Sequence, residues 1–104
     1  MNTLVNFELA KLLKGKGYRV LPDFKSSYPK IAEVVMWMYK KHGIWIYCDE
    51  TFRPYIIKDG ENKIYHGELS RLKKINDVYK AVYIWDSPTE AYEAAIEYTL
   101  TNLI

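Results

Sequence analysis

The residue types that could ligate a metal ion or act as nucleophiles are few in this chain. Cys48, Asp49 and Glu50 are consecutive, and the only histidines are His42 and His66. One thiol and two imidazoles in this arrangement match no spacing typical of a metal site. Cys48 is expected to be a small core residue and His42 a cap at a helix end. We therefore predict no metal and no cofactor.

Acid–base and nucleophilic catalysis find no support either. Asp49 and Glu50, like Asp59 and Glu61, fall in predicted turns and do not form a matched acid and base. The chain has no glycine-rich phosphate loop and no local Ser/His/Asp motif. The sequence thus predicts a protein that is not an enzyme.

Aromatic side chains are the unusual feature, since ten Tyr, three Trp and three Phe make up 15% of the residues. Successive side chains of a strand point to opposite faces, so Ile44, Ile46, Ile56 and Ile64 are expected to point inward. The aromatic residues predicted to share the opposite face are Trp45, Tyr47, Tyr55, Tyr65, Tyr83 and Trp85. A patch of this size exceeds what a monomer normally exposes, so we predict that it is an interaction face.

Four interpretations of this face remain open. Two copies could pair through it, or a different protein could bind it, because Tyr and Trp are typical interface anchors. Single-stranded nucleic acid could stack on it, helped by Lys and Arg from residues 11–41. Alternatively the aromatics serve only the fold, since a register shift of one residue would exchange the two faces.

Trp37 lies apart from the aliphatic stripe of its helix and has two possible roles. It falls among Lys30, Glu33 and Lys41 on a helical projection. Either the first helix or the Tyr18–Tyr28 connector covers it, or it is an exposed anchor for a partner.

The elements that must position these residues begin with two helices. Asn6 is a predicted N-cap for a helix from Phe7 to about Lys14. Pro29 is predicted in the first turn of a second helix whose buried stripe is Ile31, Val34, Val35, Met38 and His42. Gly43 is predicted to end that helix in a left-handed conformation.

Four strands and a last helix follow. The strands are predicted at Ile44–Cys48, Tyr55–Lys58, Lys63–His66 and Tyr79–Trp85, with a further short strand possible at Tyr18–Leu21. Residues 67–78 are predicted as a long loop or one or two helical turns. Ser87, Pro88 and Glu90 match a capping box for the final helix. The predicted fold is α+β, with an antiparallel sheet of three or four strands and the order α-α-β-β-β-β-α.

Length and charge set further limits. With 104 residues the chain is predicted to be a single domain spanning 1–104. The net charge of +2 gives no overall case for nucleic-acid binding, although residues 1–41 carry a net +5 and residues 42–104 a net −3. No apolar run reaches the roughly 20 residues of a membrane helix. One cysteine and the absence of a secretory pattern predict a cytoplasmic protein.

Three segments carry a resemblance to known sequences. They are Asn6-Phe7-Glu8-Leu9-Ala10 leading to Gly17-Tyr18, Pro29 through Trp37 to Ile44, and Ser87-Pro88-Thr89-Glu90-Ala91. On these the chain resembles a group of small uncharacterised proteins of Bacteroides-type bacteria, often encoded in prophages or mobile elements. The resemblance implies a small α+β fold and a bacterial or phage source, and it implies no activity.

Together these observations favour a non-catalytic protein-interaction or accessory module. It is predicted to bind a protein partner through the aromatic face. That partner could be a second copy of the chain, which would give a homodimer. Single-stranded nucleic-acid binding on the same face is the alternative.

Overall fold

The computed structural model describes residues 3–18, 29–61 and 63–104 of the chain. Over these residues the fold is α+β, with two antiparallel sheets of three and two strands. The α+β class is therefore confirmed, but four strands do not form one sheet. The elements in chain order are α1 (Phe7–Gly15), α2 (Ile31–His42), β1 (Ile44–Cys48), β2 (Pro54–Lys58), β3 (Lys63–Tyr65), β4 (Arg71–Ile75), β5 (Val78–Val82) and α3 (Pro88–Tyr98), which continues into a π-helical turn (Thr99–Leu103).

Local capping signals fix the starts of α1 and α3 as predicted. The side chain of Asn6 accepts a hydrogen bond from the backbone N–H of Leu9 at 2.9 Å, and that of Ser87 accepts from Glu90 at 3.2 Å. Each bond satisfies one of the amide groups that a helix start leaves without a partner. Glu90 accepts from the backbone N–H of Asp86 at 3.2 Å, one residue before the position that a capping box uses.

Helix α2 begins two residues later than predicted. Pro29 lies outside the helix, because its carbonyl accepts from the N–H of Val5 at 2.9 Å in a short antiparallel bridge. That bridge draws the segment before α1 against the start of α2. The apolar residues of the predicted stripe are buried, while His42 is half-buried beside Trp37.

Gly43 joins α2 directly to β1. Its φ of 68° is left-handed, and its N–H bonds to the carbonyl of Tyr39 at 3.0 Å. Its own carbonyl accepts from Asp59 at 2.9 Å, which ties the hinge to the end of β2. The predicted C-terminal stop is thus confirmed.

The three-stranded sheet has the order β1-β2-β3. Trp45 pairs with Ile57, which in turn pairs with Ile64, and Ile56 pairs with Tyr65. This register corrects the prediction for β3: Tyr65 faces the core at 7% exposure, and Ile64 faces outward at 51%. The strand has only three residues, and its register is fixed by its pairing to β2 rather than by its own alternation.

The second sheet is a hairpin that the sequence prediction did not contain. Strand β4 occupies part of the region predicted as loop or helical turns, and β5 ends at Val82 instead of Trp85. The connecting residues Asn76 and Asp77 both have positive φ, of 51° and 63°. Asn and Asp tolerate this conformation, which is the one that a tight two-residue hairpin requires. The possible strand at Tyr18–Leu21 falls mainly on residues 19–28, outside the described residues.

The core lies between the inner face of the three-stranded sheet and the helices. Helices α2 and α3 pack on the sheet, and α1 packs on α3. The fully buried large side chains include Leu13, Ile31, Met38, Ile44, Ile46, Ile56, Ile96 and Leu100. Among residues 3–18, 29–61 and 63–104, no helix is long and apolar enough to cross a membrane.

We expect Gly43→Ala to lower the free energy of unfolding by about 1 to 2 kcal/mol, because a side chain at a left-handed φ is strained. An added Cβ would lie at an ordinary contact distance of 3.5 Å from the Cβ of Asp59, so the strain comes from the backbone and not from a clash. Urea denaturation followed by circular dichroism measures the change. Gly15→Ala is the matched control, since nothing lies within 4 Å of its added Cβ. An equal loss in both variants would contradict the role of the left-handed hinge.

Candidate interaction surfaces

The side chains of the three-stranded sheet that point away from the helices form a surface that we call the outer face. It comprises Trp45, Tyr47, Tyr55, Ile57 and Ile64. The outer face exists because Ile44, Ile46 and Ile56 are fully buried on the other side. Alternation along a strand then leaves the intervening residues on the solvent side.

One end of the outer face is an aromatic row. The rings of Tyr47 and Tyr55 are stacked with centroids 4.9 Å apart and planes at 10°. The ring of His66, just after β3, lies 5.8 Å from that of Tyr55. Cross-strand aromatic pairs of this kind stabilise a sheet, so the Tyr47–Tyr55 pair strengthens the pairing of β1 with β2.

Asp49 fixes the turn between β1 and β2 beneath this row. Its Oδ1 accepts from the hydroxyl of Thr51 at 2.6 Å and from the backbone N–H groups of Thr51 and Arg53 at 2.9 and 3.1 Å. Its Oδ2 accepts from the hydroxyl of Tyr55 at 2.9 Å. These bonds, with that from the Thr51 hydroxyl foremost, lower the pKa of Asp49 to about 2.

This carboxylate serves structure and not proton transfer. A group with a pKa near 2 is a poor base at neutral pH. Donation to Asp49 also raises the pKa of Tyr55, so the phenol stays protonated. Burial raises the pKa of the Cys48 thiol, and Sγ donates to the carbonyl of Asp49 at 3.3 Å. A protonated thiol is a weak nucleophile.

Arg53 connects the aromatic row to the segment after β5. Its Nη2 lies 2.9 Å from Nδ1 of His66. A guanidinium can only donate, so Nδ1 is the acceptor. The guanidinium also lies over the rings of Tyr55 and Tyr83, at 5.9 and 5.6 Å from their centroids. Tyr83, which is 40% exposed, is thus linked to Tyr55 of the outer face through Arg53 without belonging to the strands of that face.

The other end of the outer face continues onto α2 as an apolar patch. Tyr39 packs edge-to-face on Trp45 with centroids 5.4 Å apart. A shallow groove of about 480 Å³ is lined by Met36, Tyr39 and Trp45. These three side chains are 43%, 47% and 39% exposed, and Ile64 is 51% exposed. We define the apolar patch as Met36, Tyr39, Trp45, Ile57 and Ile64.

The predicted interaction residues are only partly brought together. Trp45, Tyr47 and Tyr55 share the outer face as predicted. Tyr65 lies in the core instead, where its hydroxyl donates to Glu61 at 2.7 Å. Trp85 is half-buried against the core, with the guanidinium of Arg71 over its ring at 5.8 Å.

Trp37 is half-buried and contacts the rings of Tyr18 and His42. It packs partly buried against the core, and the ring of Tyr18 meets it edge-to-face with centroids 5.1 Å apart.

Sequence reasoning missed Met36, Tyr39 and Ile64. Met36 and Tyr39 are separated by one helical turn, and this spacing was the available signal that they share a face beside Trp45. Ile64 was missed because its strand was read in the opposite register.

Within the described ranges, no three His, Cys, Asp or Glu residues are gathered so that they could hold a metal ion. Comparisons with protein-family models, with curated proteins and with solved structures find no match to this chain. What the protein does is therefore inferred from its surfaces.

We expect Asp49→Asn to destabilise the fold at pH 7 and to do so less as the pH falls. In the folded protein the pKa of Asp49 is lowered to about 2. The stabilisation that its carboxylate gives to the fold is therefore complete above about pH 4, the ordinary pKa of Asp, and is lost as the pH falls toward 2. Urea midpoints of wild type and variant between pH 7 and pH 2 measure the difference. Glu50→Gln, at an exposed neighbour, is the control. A difference independent of pH would show that ionisation of Asp49 does not stabilise the turn.

Proposed function

We propose that this protein is a non-catalytic interaction module in which two copies pair through the outer face. The observation that carries the proposal is the apolar patch, whose members Met36, Tyr39, Trp45 and Ile64 are each 39–51% exposed. Contiguous apolar surface of this kind marks interaction sites on soluble proteins.

A second copy is favoured as the partner because the outer face has no charged strand residue. Trp45, Tyr47, Tyr55, Ile57 and Ile64 are all uncharged. Two-fold pairing places a patch against its own copy, so any charge near the axis would meet a like charge. An uncharged face avoids this repulsion and is thus compatible with self-pairing.

The small area of the outer face favours a weak dimer whose formation depends on protein concentration. Two strands of five residues and one of three cover at most roughly 17 Å by 14 Å. That is below the roughly 800 Å² that each partner contributes to a standard interface. The patch on α2 adds area, but a tight obligate dimer through this face alone is not expected.

Single-stranded nucleic acid is less well supported on this face. Stacking on Tyr47 and Tyr55 is blocked on one side because each ring already stacks on the other. The cation nearest to them, Arg53, is engaged with His66 and with the rings of Tyr55 and Tyr83. Binding of single strands relies on free cations along a groove.

We expect Ile64→Lys to lower the weight-average mass of the protein in light scattering, with at least about tenfold more protein needed for half-association. The introduced ammonium groups of two paired copies would meet across the axis, and like charges at an interface are strongly unfavourable. Trp45→Ser should act in the same direction by removing an aromatic anchor. Both variants are to be checked for retained secondary structure by circular dichroism.

Ile84→Ser is the control, because Ile84 is 48% exposed but lies outside the outer face. It should associate as the wild type does. If Ile64→Lys and Trp45→Ser keep the wild-type mass at every concentration, the outer face does not pair copies. Salt-sensitive binding of an oligonucleotide by a monomer would then support the nucleic-acid alternative.

A further inference from the structure

The hairpin of β4 and β5, which we call the arm, buries almost nothing against the rest of the fold. Within the described part of the chain, the two strands contact mainly each other, and their residues are exposed except for half-buried Arg71 and Val82 at the base. Leu72 is 73% and Tyr79 is 67% exposed. A two-stranded hairpin alone is only marginally stable in water, so the arm is suited to a partner that covers it.

The two faces of the arm differ in chemistry. On one face Lys73 lies directly across from Lys80, next to the exposed pair Ile75 and Val78. On the other face Leu72 lies across from Ala81, and Lys74 lies across from Tyr79. Like charges directly opposite each other destabilise a strand pair. The arm carries four basic residues and one acidic residue, a net charge of +3 over residues 71–82. Its partner should therefore offer negative charge around an apolar floor.

The arm leaves the body at a fixed point. Arg71 pairs with Asp86, with Nη2 and Oδ1 3.2 Å apart, and its Nε donates to the carbonyl of Ile84 at 3.3 Å. Lys73 and Lys80 lie beyond this anchor. In the described structure neither forms a salt bridge with an acidic residue.

A cleft of about 620 Å³ between α1 and α3 has the complementary character. Its walls carry Glu8, Glu90, Glu93 and Glu97, and its apolar lining includes Leu12 and Trp85. Arg71, at the base of the arm of the same copy, also lines it, so the four glutamates outnumber one cation. Burial, with a smaller contribution from the neighbouring Glu90, raises the pKa of Glu93. An ammonium group docked there would counteract both effects by stabilising the charged carboxylate.

We infer that the arm of one copy docks in the cleft between α1 and α3 of a second copy, with Lys73 and Lys80 meeting the glutamates and with Ile75 and Val78, on the same face of the arm, covering apolar lining. The arm cannot pair with another arm, because two ribbons of charge +3 repel. It is complementary in both charge and polarity to the cleft. When each copy gives its arm to the other, the contact closes on itself and doubles the buried area.

Two other binding sites for the arm fit less well: the cleft of its own copy and a groove of nucleic acid. Docking in the arm's own cleft would bring its lysines to the glutamates of the same copy, yet no arm lysine is bonded to a cleft glutamate in the described structure. A nucleic-acid groove admits a two-stranded ribbon and would suit the cations. It would set phosphates instead of apolar surface against Ile75 and Val78, which share the face of the lysines, and bring phosphates toward the glutamate-lined cleft.

The experiment is a charge exchange between arm and cleft in protein that carries Ile64→Lys, so that the outer face does not contribute. One variant adds Lys73→Glu and Lys80→Glu, and the other adds Glu93→Lys and Glu97→Lys. Each alone presents like charges in arm and cleft and should be monomeric in analytical ultracentrifugation at about 50 mM salt, where screening is weak. Their equimolar mixture pairs opposite charges at both contacts and should associate as the Ile64→Lys parent does.

The controls separate charge from folding. Lys73→Glu with Lys80→Glu keeps like charges across the strands, so it leaves that repulsion unchanged. Lys40→Glu with Lys41→Glu reverses two exposed charges on α2 and should associate as the parent does. Circular dichroism of each variant excludes unfolding as the cause of a monomer.

Two results would overturn the inference: a monomeric Ile64→Lys parent at every concentration, or a mixture that stays monomeric although both variants are folded. If the parent is monomeric and Lys73→Glu with Lys80→Glu abolishes binding of a labelled DNA duplex, the arm takes nucleic acid instead. These outcomes are independent of the proposed outer-face pairing, which fails only if Ile64→Lys keeps the wild-type mass.

Discussion

Burial of one face of a three-stranded sheet is the constraint on which the rest of this structure depends. Gly43 turns the chain from α2 into β1 with no intervening residue, so the burial of Ile44 is set by the helix that precedes it. From Ile44 onward the pleat assigns each residue to the core or to solvent. Trp45 is therefore placed outward by the same requirement that buries Ile44, and the outer face is a consequence of the core.

Features set by local sequence were predictable, and features set by pairing between distant segments were not. The caps at Asn6 and Ser87 and the stop at Gly43 rest on neighbouring residues and appear as expected. The inward side of β3 depends on its register with β2, which three residues cannot specify. The arm was missed because Arg71–Ile75 is mostly charged and lacks a buried face, although Asn76-Asp77 was a turn signal.

The candidate sites show the same division. Sequence alternation placed Trp45, Tyr47 and Tyr55 on one face, since it needs only strand geometry. It could not show that Asp49 accepts bonds from Thr51, Arg53 and Tyr55 and so becomes a turn support with a lowered pKa. Nor could it bring α1 and α3 together to form a glutamate-lined cleft, because those helices are separated by most of the chain.

Charge distinguishes the two surfaces. An uncharged face can meet its own copy across a two-fold axis, whereas a ribbon with Lys73 opposite Lys80 can only meet an opposite charge. The negative charge of the second half of the chain, concentrated on α3, supplies that opposite charge within the same sequence. The proposed pairing of outer faces and the proposed docking of arm in cleft would be two independent contacts between copies. Because the contacts differ in polarity, added salt should weaken the arm contact and leave the apolar one in place.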